Sequence, residues 1–282
     1  MSNGAALAVG AMFCYGFADW IYKRAAARGV RPHQFLMLQA FFFAPGVFLY
    51  GLVTRTLAFG RPFGWGMAAG ALLFVALYNF ARSLASGAVS IVVPVFRLSF
   101  VMTAVLAVWW LEEPVTVGKA AGLAASLAAV WLLLGGGAPR ASARGADVLR
   151  VLAAMISMSV VSLIYKVGVM IGGSPATVMC GQASVFFSLA TAFAISRDRG
   201  FNPPPGGWRY GAAAAVLLLF AQVMLLAGLQ RGDASVLVPV AQLSFVVTSV
   251  LGFLFLREPL TPRKGAGLAC AVAALACLAY GG

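Results

Sequence analysis

Arg97 is the residue of this sequence best placed to do chemistry. It stands among Pro94, Val95, Phe96, Leu98 and Phe100, with no other charge between Arg82 and Glu112. A guanidinium offers a rigid fork of donors that fits a carboxylate or phosphate. If its helix starts near Ser90, Arg97 lies about 10 Å along it, below the surface of a hydrocarbon layer with a half-thickness of about 15 Å. A cation at that depth faces a cavity or a partner, or else snorkels to the interface. Asp19 is the one carboxylate inside an apolar run, four residues before Lys23. It reads either as an i,i+4 ion pair with that lysine or as a counter-ion to Arg97 and carrier of a proton. Lys166 occupies the position of Lys23 in a second copy of the pattern and faces Ser162 in sequence instead of an acid. It snorkels or lines a cavity, and with Arg97 it would make that cavity positive.

Neutral polar and aromatic residues surround these charges. Gln39, Gln182 and Gln222 fall in the middle of apolar runs, where an amide must find a partner; they tie helices together or hold substrate. Tyr15, Trp20, Tyr22, Tyr78, Phe96 and Tyr165 lie near the charged positions and could form an aromatic wall. Trp65, Trp109, Trp110 and Trp208 read as an interfacial belt. His33 opens an apolar run after Arg31 and Pro32, and reads as interfacial.

The elements that must position these groups are duplicated. Residues 94–124 and 239–269 match at 18 of 31 positions with a constant offset of 145 residues. The matches include Pro94/Pro239, Glu113/Glu258, Thr116/Thr261 and Lys119/Lys264, which chance likeness between apolar segments would not supply. Earlier matches, Tyr22/Tyr165 and Gln39/Gln182, run at an offset of 143. Arg97 breaks the pattern, because the second copy has Gln242 there. Thr116 and Thr261 read as N-caps, with Pro262 at the favoured first position. Glu113 and Glu258 then sit just ahead of helix N-termini as structural residues near Lys119 and Lys264, or else as coupling carboxylates. Pro94 and Pro239 fall four or five residues into their helices, as hinges or as ordinary helix-start prolines.

Composition sets the environment. The chain is 62% hydrophobic and 10% charged, against roughly a quarter charged in soluble domains. Its net charge of +13 sits mostly in short breaks between apolar runs, which argues for membrane orientation and against nucleic acid. The four cysteines lie in apolar runs without ligand spacing and only one histidine is present, so no metal, cofactor or disulfide is expected. No basic residue precedes the first apolar run, which therefore reads as a retained helix and not a cleaved signal.

Ten spans of about 20 residues are expected: 4–22, 33–53, 65–85, 90–111, 118–136, 150–171, 176–196, 208–229, 235–256 and 264–281. The polar break near 138–149 divides the chain into halves at 1–137 and 150–282. Five helices per half force the second half to enter the membrane in the opposite sense, the inverted-topology repeat of secondary transporters. The breaks after spans 1, 5, 7 and 9 are the richer in Lys and Arg, which puts them in the cytoplasm and both termini outside.

The pattern of Pro94 with Glu113, Pro114 and Thr116, repeated as Pro239 with Glu258, Pro259 and Thr261, resembles the drug/metabolite transporter superfamily. Specifically, it is similar to the ten-helix EamA-type members, over about 270 residues. The resemblance implies an all-α carrier in the inner (plasma) membrane that works by alternating access, as a monomer or homodimer. No hydrolase, metalloprotease, phosphate-loop or nucleic-acid motif is present. The expected function is secondary transport, as an exporter, of small metabolites such as amino acids or other organic anions, driven by a proton or by exchange. Arg97 would anchor the anion, with Gln242, Lys166, Asp19, Tyr22, Tyr78, Tyr165 and Gln182 as the wall. The rivals are a carrier of aromatic or quaternary-amine compounds and a non-transporting scaffold or sensor subunit.

Overall fold

The computed structural model describes residues 3–86, 89–134, 145–202, 204–256 and 261–280 of the chain. Among them every regular element is helical and none is a strand, as long apolar segments require when the backbone can pair only with itself. The helices are α1 (Asn3–Ala27), α2 (Pro32–Val53), α3 (Arg61–Ser86), α4 (Val89–Arg97), α5 (Ser99–Trp110), α6 (Val117–Leu134), α7 (Gly145–Met170), α8 (Pro175–Asp198), α9 (Gly207–Leu229), α10 (Ala234–Gln242), α11 (Ser244–Leu256) and α12 (Pro262–Tyr280). Eight segments are long and apolar enough to cross a membrane, the broken α10–α11 pair among them; Val95–Trp110 and Val117–Leu133 are shorter apolar helices. Together they make the ten crossings expected. The second half starts earlier than expected, since α7 is already helical at Gly145. The rest of the expected linker, 138–144, and Glu258 lie outside the described residues.

Local chemistry sets the helix ends. Pro32, Pro175 and Pro262 occupy first-turn positions, where the missing N–H costs nothing. Ser174 caps α8 by accepting from the Thr177 N–H at 3.0 Å. Thr116 and Thr261 accept from the N–H groups of Lys119 (3.1 Å) and Lys264 (3.4 Å), as N-caps should.

The fourth and ninth crossings are each interrupted, four residues after Pro94 and Pro239. At Leu98 the N–H turns to the carbonyl of Val95 (3.1 Å), and at Leu243 it is shared between Pro239 (3.1 Å) and Val240 (3.2 Å). These i→i−3 bonds tighten the chain into a 3₁₀ turn. The discontinuity is thus at Leu98 and Leu243, whereas the sequence points to the prolines themselves.

The halves interlock instead of forming separate bodies. α1 packs on α9 as α7 packs on α3; α2 meets α9 as α8 meets α3; α1 meets α10 and α11 as α7 meets α4 and α5. Two further large contacts, α2 with α8 and α6 with α12, join a helix to its own equivalent. A pseudo-two-fold relating α1–α6 to α7–α12 generates this set; the contact of α5 with α10 departs from it, since α4 and α11 make no contact of similar size. The main buried cluster draws on both halves, including Phe43, Val47, Leu226 and Val240. Trp109, Trp131 and Leu254 remain 79%, 66% and 69% exposed, a surface suited to lipid.

Close approach of α3 to α8 depends on glycine. A Cβ on Gly181 would lie 2.1 Å from the Phe63 carbonyl oxygen, and one on Gly66 2.1 Å from that of Val178. Gly66 corresponds to Gly211 of α9, where a Cβ would crowd Leu38 of α2 at 2.8 Å. Small residues let backbones approach this closely where no hydrophobic effect draws helices together. Substituting Gly181→Leu should therefore separate α3 from α8 and destabilise the protein by about 1–3 kcal/mol or more. Thermal unfolding in detergent reads this, and a melting temperature equal to wild type would contradict the packing.

Candidate functional site

Arg97 is the last residue of α4 and Gln242 the last of α10, so both stand at the helix breaks. Across the two-fold they meet. The Arg97 guanidinium donates to Gln242 Oε1 at 3.1 Å and to Asp19 Oδ2 of α1 at 3.1 Å. Ser244 completes the cluster with a longer bond to Asp19 at 3.4 Å. Asp19 thus stands at ion-pair distance from Arg97, as a counter-ion would.

These groups line a central cavity of about 480 Å³, within the range of small-molecule sites, roughly 300–1,000 Å³. Its walls come in equivalent pairs. Tyr22/Tyr165, Gln39/Gln182 and Phe43/Phe186 are related at offset 143, Leu73/Leu218 and Val93/Val238 at offset 145, and both members of each pair line the space. Several pairs differ in polarity, Asp19 against Ser162, Arg97 against Gln242 and Leu77 against Gln222, while Phe80 against Leu225 and Phe96 against Ala241 differ in size alone. The formal charges of the lining come from the first half alone.

The neutral polar groups satisfy one another. Tyr22 donates to Gln39, and its equivalent Tyr165 donates to Gln182 Oε1 at 2.7 Å. Gln222 Nε2 adds bonds to the Tyr165 oxygen (2.8 Å) and to Gln182 (2.7 Å). The amides that sequence left between tying helices and lining a site do both. Tyr15, Phe80 and Phe96 supply further aromatic wall.

Two expected wall residues do not reach the cavity. Lys166 donates instead to the carbonyls of Leu229 (2.9 Å) and Gly232 (2.7 Å), the free acceptors at the end of α9. Tyr78 packs edge-on against Phe193 at 5.1 Å between ring centroids and stacks on Phe74. Trp20 is likewise absent from the lining and tilts against Phe255.

The cavity leans to one side of the molecule. Pro32, Leu36 and Ala81 line it, on the side where α1 ends among Lys23, Arg24, Arg28 and Arg31, here called the basic side. Their equivalents Pro175, Met179 and Leu226 do not line it, and Met179 and Leu226 are wholly buried. The far side is sealed by polar contacts between the halves. The Glu113 carboxylate accepts from the N–H groups of Ala234 (2.7 Å) and Ser235 (2.8 Å). Lys119 donates to Asp233 at 2.6 Å and to the Pro114 carbonyl at 2.7 Å.

This corrects the expectation that Glu113 serves the start of its own next helix. Its carboxylate caps α10 of the opposite half. Asp233 occupies the N-cap position of α10 but makes no cap bond, because Lys119 holds its carboxylate, and Glu113 supplies the acceptor in its place. Sequence also left His33 without partners. It lies 2.9 Å from Asp198, which further receives Gln34 (2.8 Å) and Arg31 (3.1 Å). Asp198 ends α8, where the helix dipole disfavours an acid; the start of α2 compensates it.

A model of the EamA-like transporter family matches residues 2–135 and again 147–280. The chain belongs to the EamA-like transporter family. This EamA-like chain is accordingly a multi-pass membrane transporter of small molecules. No curated protein gives a significant match. Among solved structures, one described as a crystal structure of a protein superposes with a TM-score of 0.84 at 18% identity, covering 98% of this chain and 96% of that one. At that identity the likeness carries the fold.

Glu113→Ala removes the acceptor for two buried N–H groups, and should lower stability by about 1–3 kcal/mol. Glu113→Gln, which keeps an oxygen, should lose less. Equal melting temperatures for wild type and Glu113→Ala would refute the cap.

Proposed function

We propose that this EamA-like transporter exports a small metabolite bearing a carboxylate, an amino acid or related organic anion, across the inner (plasma) membrane, with Arg97 as the anchor. The observation that carries the reading is the Arg97 guanidinium on the cavity wall with its donors on Gln242 and Asp19. A substrate carboxylate competes for the same planar fork, while the aromatic and aliphatic lining takes its apolar body. Tyr22, Tyr165 and Gln182 complete the wall in this reading.

The ion pair restricts the substrate. A carboxylate that displaces Asp19 from Arg97 leaves a carboxylate without its cation, which a low-dielectric site disfavours. Either Asp19 takes up a proton or the same substrate brings an ammonium group to it. The first case couples transport to a proton; the second selects zwitterions and lets exchange drive the cycle.

The Lys/Arg bias supports a cytoplasmic basic side. The cavity leans to that side, which suits loading from the cytoplasm. The far-side seal of Glu113, Lys119 and Asp233 is the part that must part for release, with the breaks at Leu98 and Leu243, after Pro94 and Pro239, as the hinges. A monomer or homodimer serves equally well.

A second reading has its own observation. The ring of Tyr15, Tyr22, Phe43, Phe80, Phe96 and Phe186 beside the half-exposed Asp19 carboxylate suits an aromatic or quaternary-amine cation. The two readings demand opposite roles of the ion pair. In proteoliposomes, Arg97→Gln should cut transport of a carboxylate substrate by at least tenfold, about 1.4 kcal/mol, while Arg97→Lys retains part of it. Asp19→Asn should then spare an organic anion and abolish its pH dependence. Full transport by Arg97→Gln with complete loss in Asp19→Asn would favour the cation carrier and remove the anchor reading.

A further inference from the structure

We propose that the central cavity carries a second, uncharged pole built on Gln182 and Gln222, which takes a carboxamide at the end of the substrate remote from Arg97. The pole rests on how three side chains bond. Tyr165 donates to Gln182 Oε1 at 2.7 Å, and Gln222 Nε2 donates to the Tyr165 oxygen at 2.8 Å and to Gln182 Oε1 at 2.7 Å. This triangle uses one end of each amide. Gln182 is left with its Nε2 and Gln222 with its Oε1, and neither atom has a partner among the described residues. Reversing both amides would preserve all three bonds and still leave one amino group and one oxygen. The two residues are only 3% and 8% exposed, and both line the cavity. A buried amide end calls for a hydrogen-bond partner. Their neighbours one turn along the same helices, Phe186 and Leu225, are apolar cavity wall and supply none.

The first half shows that tying the helices does not need the third residue. There Tyr22 donates to Gln39 as Tyr165 does to Gln182, yet the position matching Gln222 holds Leu77, which lines the cavity as plain hydrocarbon. Gln222 therefore adds polarity to the wall beyond what the tie requires. Depth sets the reach of the ligand. Tyr165 follows Ser162, the equivalent of Asp19, by three residues, about 5 Å along α7 towards the far side. Tyr15 precedes Asp19 by four residues on the oppositely running α1, which brings it to a similar level, about 6 Å along. It lines the cavity, and its hydroxyl has no partner among the described residues. The formal charges of the lining, Asp19 and Arg97, thus stand about one helical turn away, so the group taken at the pole is neutral. A carboxamide offers an oxygen to the free amino group and an N–H to the free oxygen. A methyl in its place leaves both unpaired. The head group at Arg97 rests on the transport reading above; the polar tail does not.

The test uses the full chain in nanodiscs and two probes of one shape, glutamine and homoleucine, whose side chains end in a carboxamide and an isopropyl group. Affinity is read from the rise of the unfolding midpoint with probe concentration. Wild type should bind glutamine at least about tenfold more tightly than homoleucine, the worth of one or two hydrogen bonds. Gln222→Leu, which installs the residue type of the first half, should bring the two affinities together, and Tyr15→Phe should weaken glutamine alone. The midpoint without probe reports the folding of each variant, and a general loss of fold would weaken both probes alike. The comparison is repeated with the two amines left when each probe loses its carboxylate. Arg97→Gln should weaken both amino acids equally and keep their ratio. If it binds them as wild type does, the anchor reading fails while the pole stands on the ratio, read in either pair. Equal affinities within both pairs would mean that water completes the two amides, and would overturn the pole. A ratio that survives Gln222→Leu, or no response to either carboxamide, overturns it too.

Discussion

A guanidinium held between two helix breaks is the contact on which the rest of the arrangement turns. A cation near the bilayer centre costs at least about 2.5–3.5 kcal/mol even on the mildest scale, so Arg97 must be partnered. It finds Asp19 on α1 and, across the two-fold, the residue at its own position in the other half, Gln242. A residue can reach its own equivalent only near the axis, which places α4 and α10 with their ends together. Breaking each crossing there brings two side chains to the middle of the molecule that continuous helices would have carried past one another. Both side chains line the central cavity there.

Around it the molecule divides its labour by symmetry. Residues shared by the halves build the frame: the Tyr22–Gln39 and Tyr165–Gln182 ties, the Thr116 and Thr261 caps, and the glycine contacts at Gly66 and Gly211. Even the serine and threonine bonds beside the breaks are repeated, Thr103 reaching Ser159 as Thr248 reaches Gly16. Residues that differ between the halves, Asp19, Arg97 and Gln222, carry the polarity of the cavity.

Most of the fold was legible because the hydrocarbon thickness dictates span length and the duplication dictates relative direction. Helix ends among the described residues fell within a few residues of expectation, apart from the later end of α1 at Ala27 and the earlier start of α7 at Gly145. The breaks at Leu98 and Leu243 were not legible, since a proline shows where a bond is missing and not where the helix will give way. Facing was the harder matter. Lys166 and Tyr78 lie close in sequence to charged or polar positions, yet rotation about the helix axis turns them to the end of α9 and to Phe193. Arg97, Asp19 and Gln242 were identifiable because their cost in lipid leaves few solutions. Glu113 was misread for the opposite reason. A carboxylate near a helix N-terminus has several termini within reach once the halves interlock, and the nearest in sequence is not the nearest in space.

Unequal halves also bear on the energetics of a carrier built from a repeat. Two identical halves in an inverted arrangement would make the states open to either side mirror images of equal energy. Each position where the copies disagree removes that degeneracy. The Lys119–Asp233 pair, with Lys119 almost wholly buried, has Ala88 at the position equivalent to its acid, so the same pair cannot form on the other side. Breaking a pair whose cation is buried is costly unless each charge finds water or a new partner. A substrate that enters beside Arg97 therefore acts on a balance already tilted by residues that never touch it, and the tilt comes from the same divergence between copies that polarised the cavity.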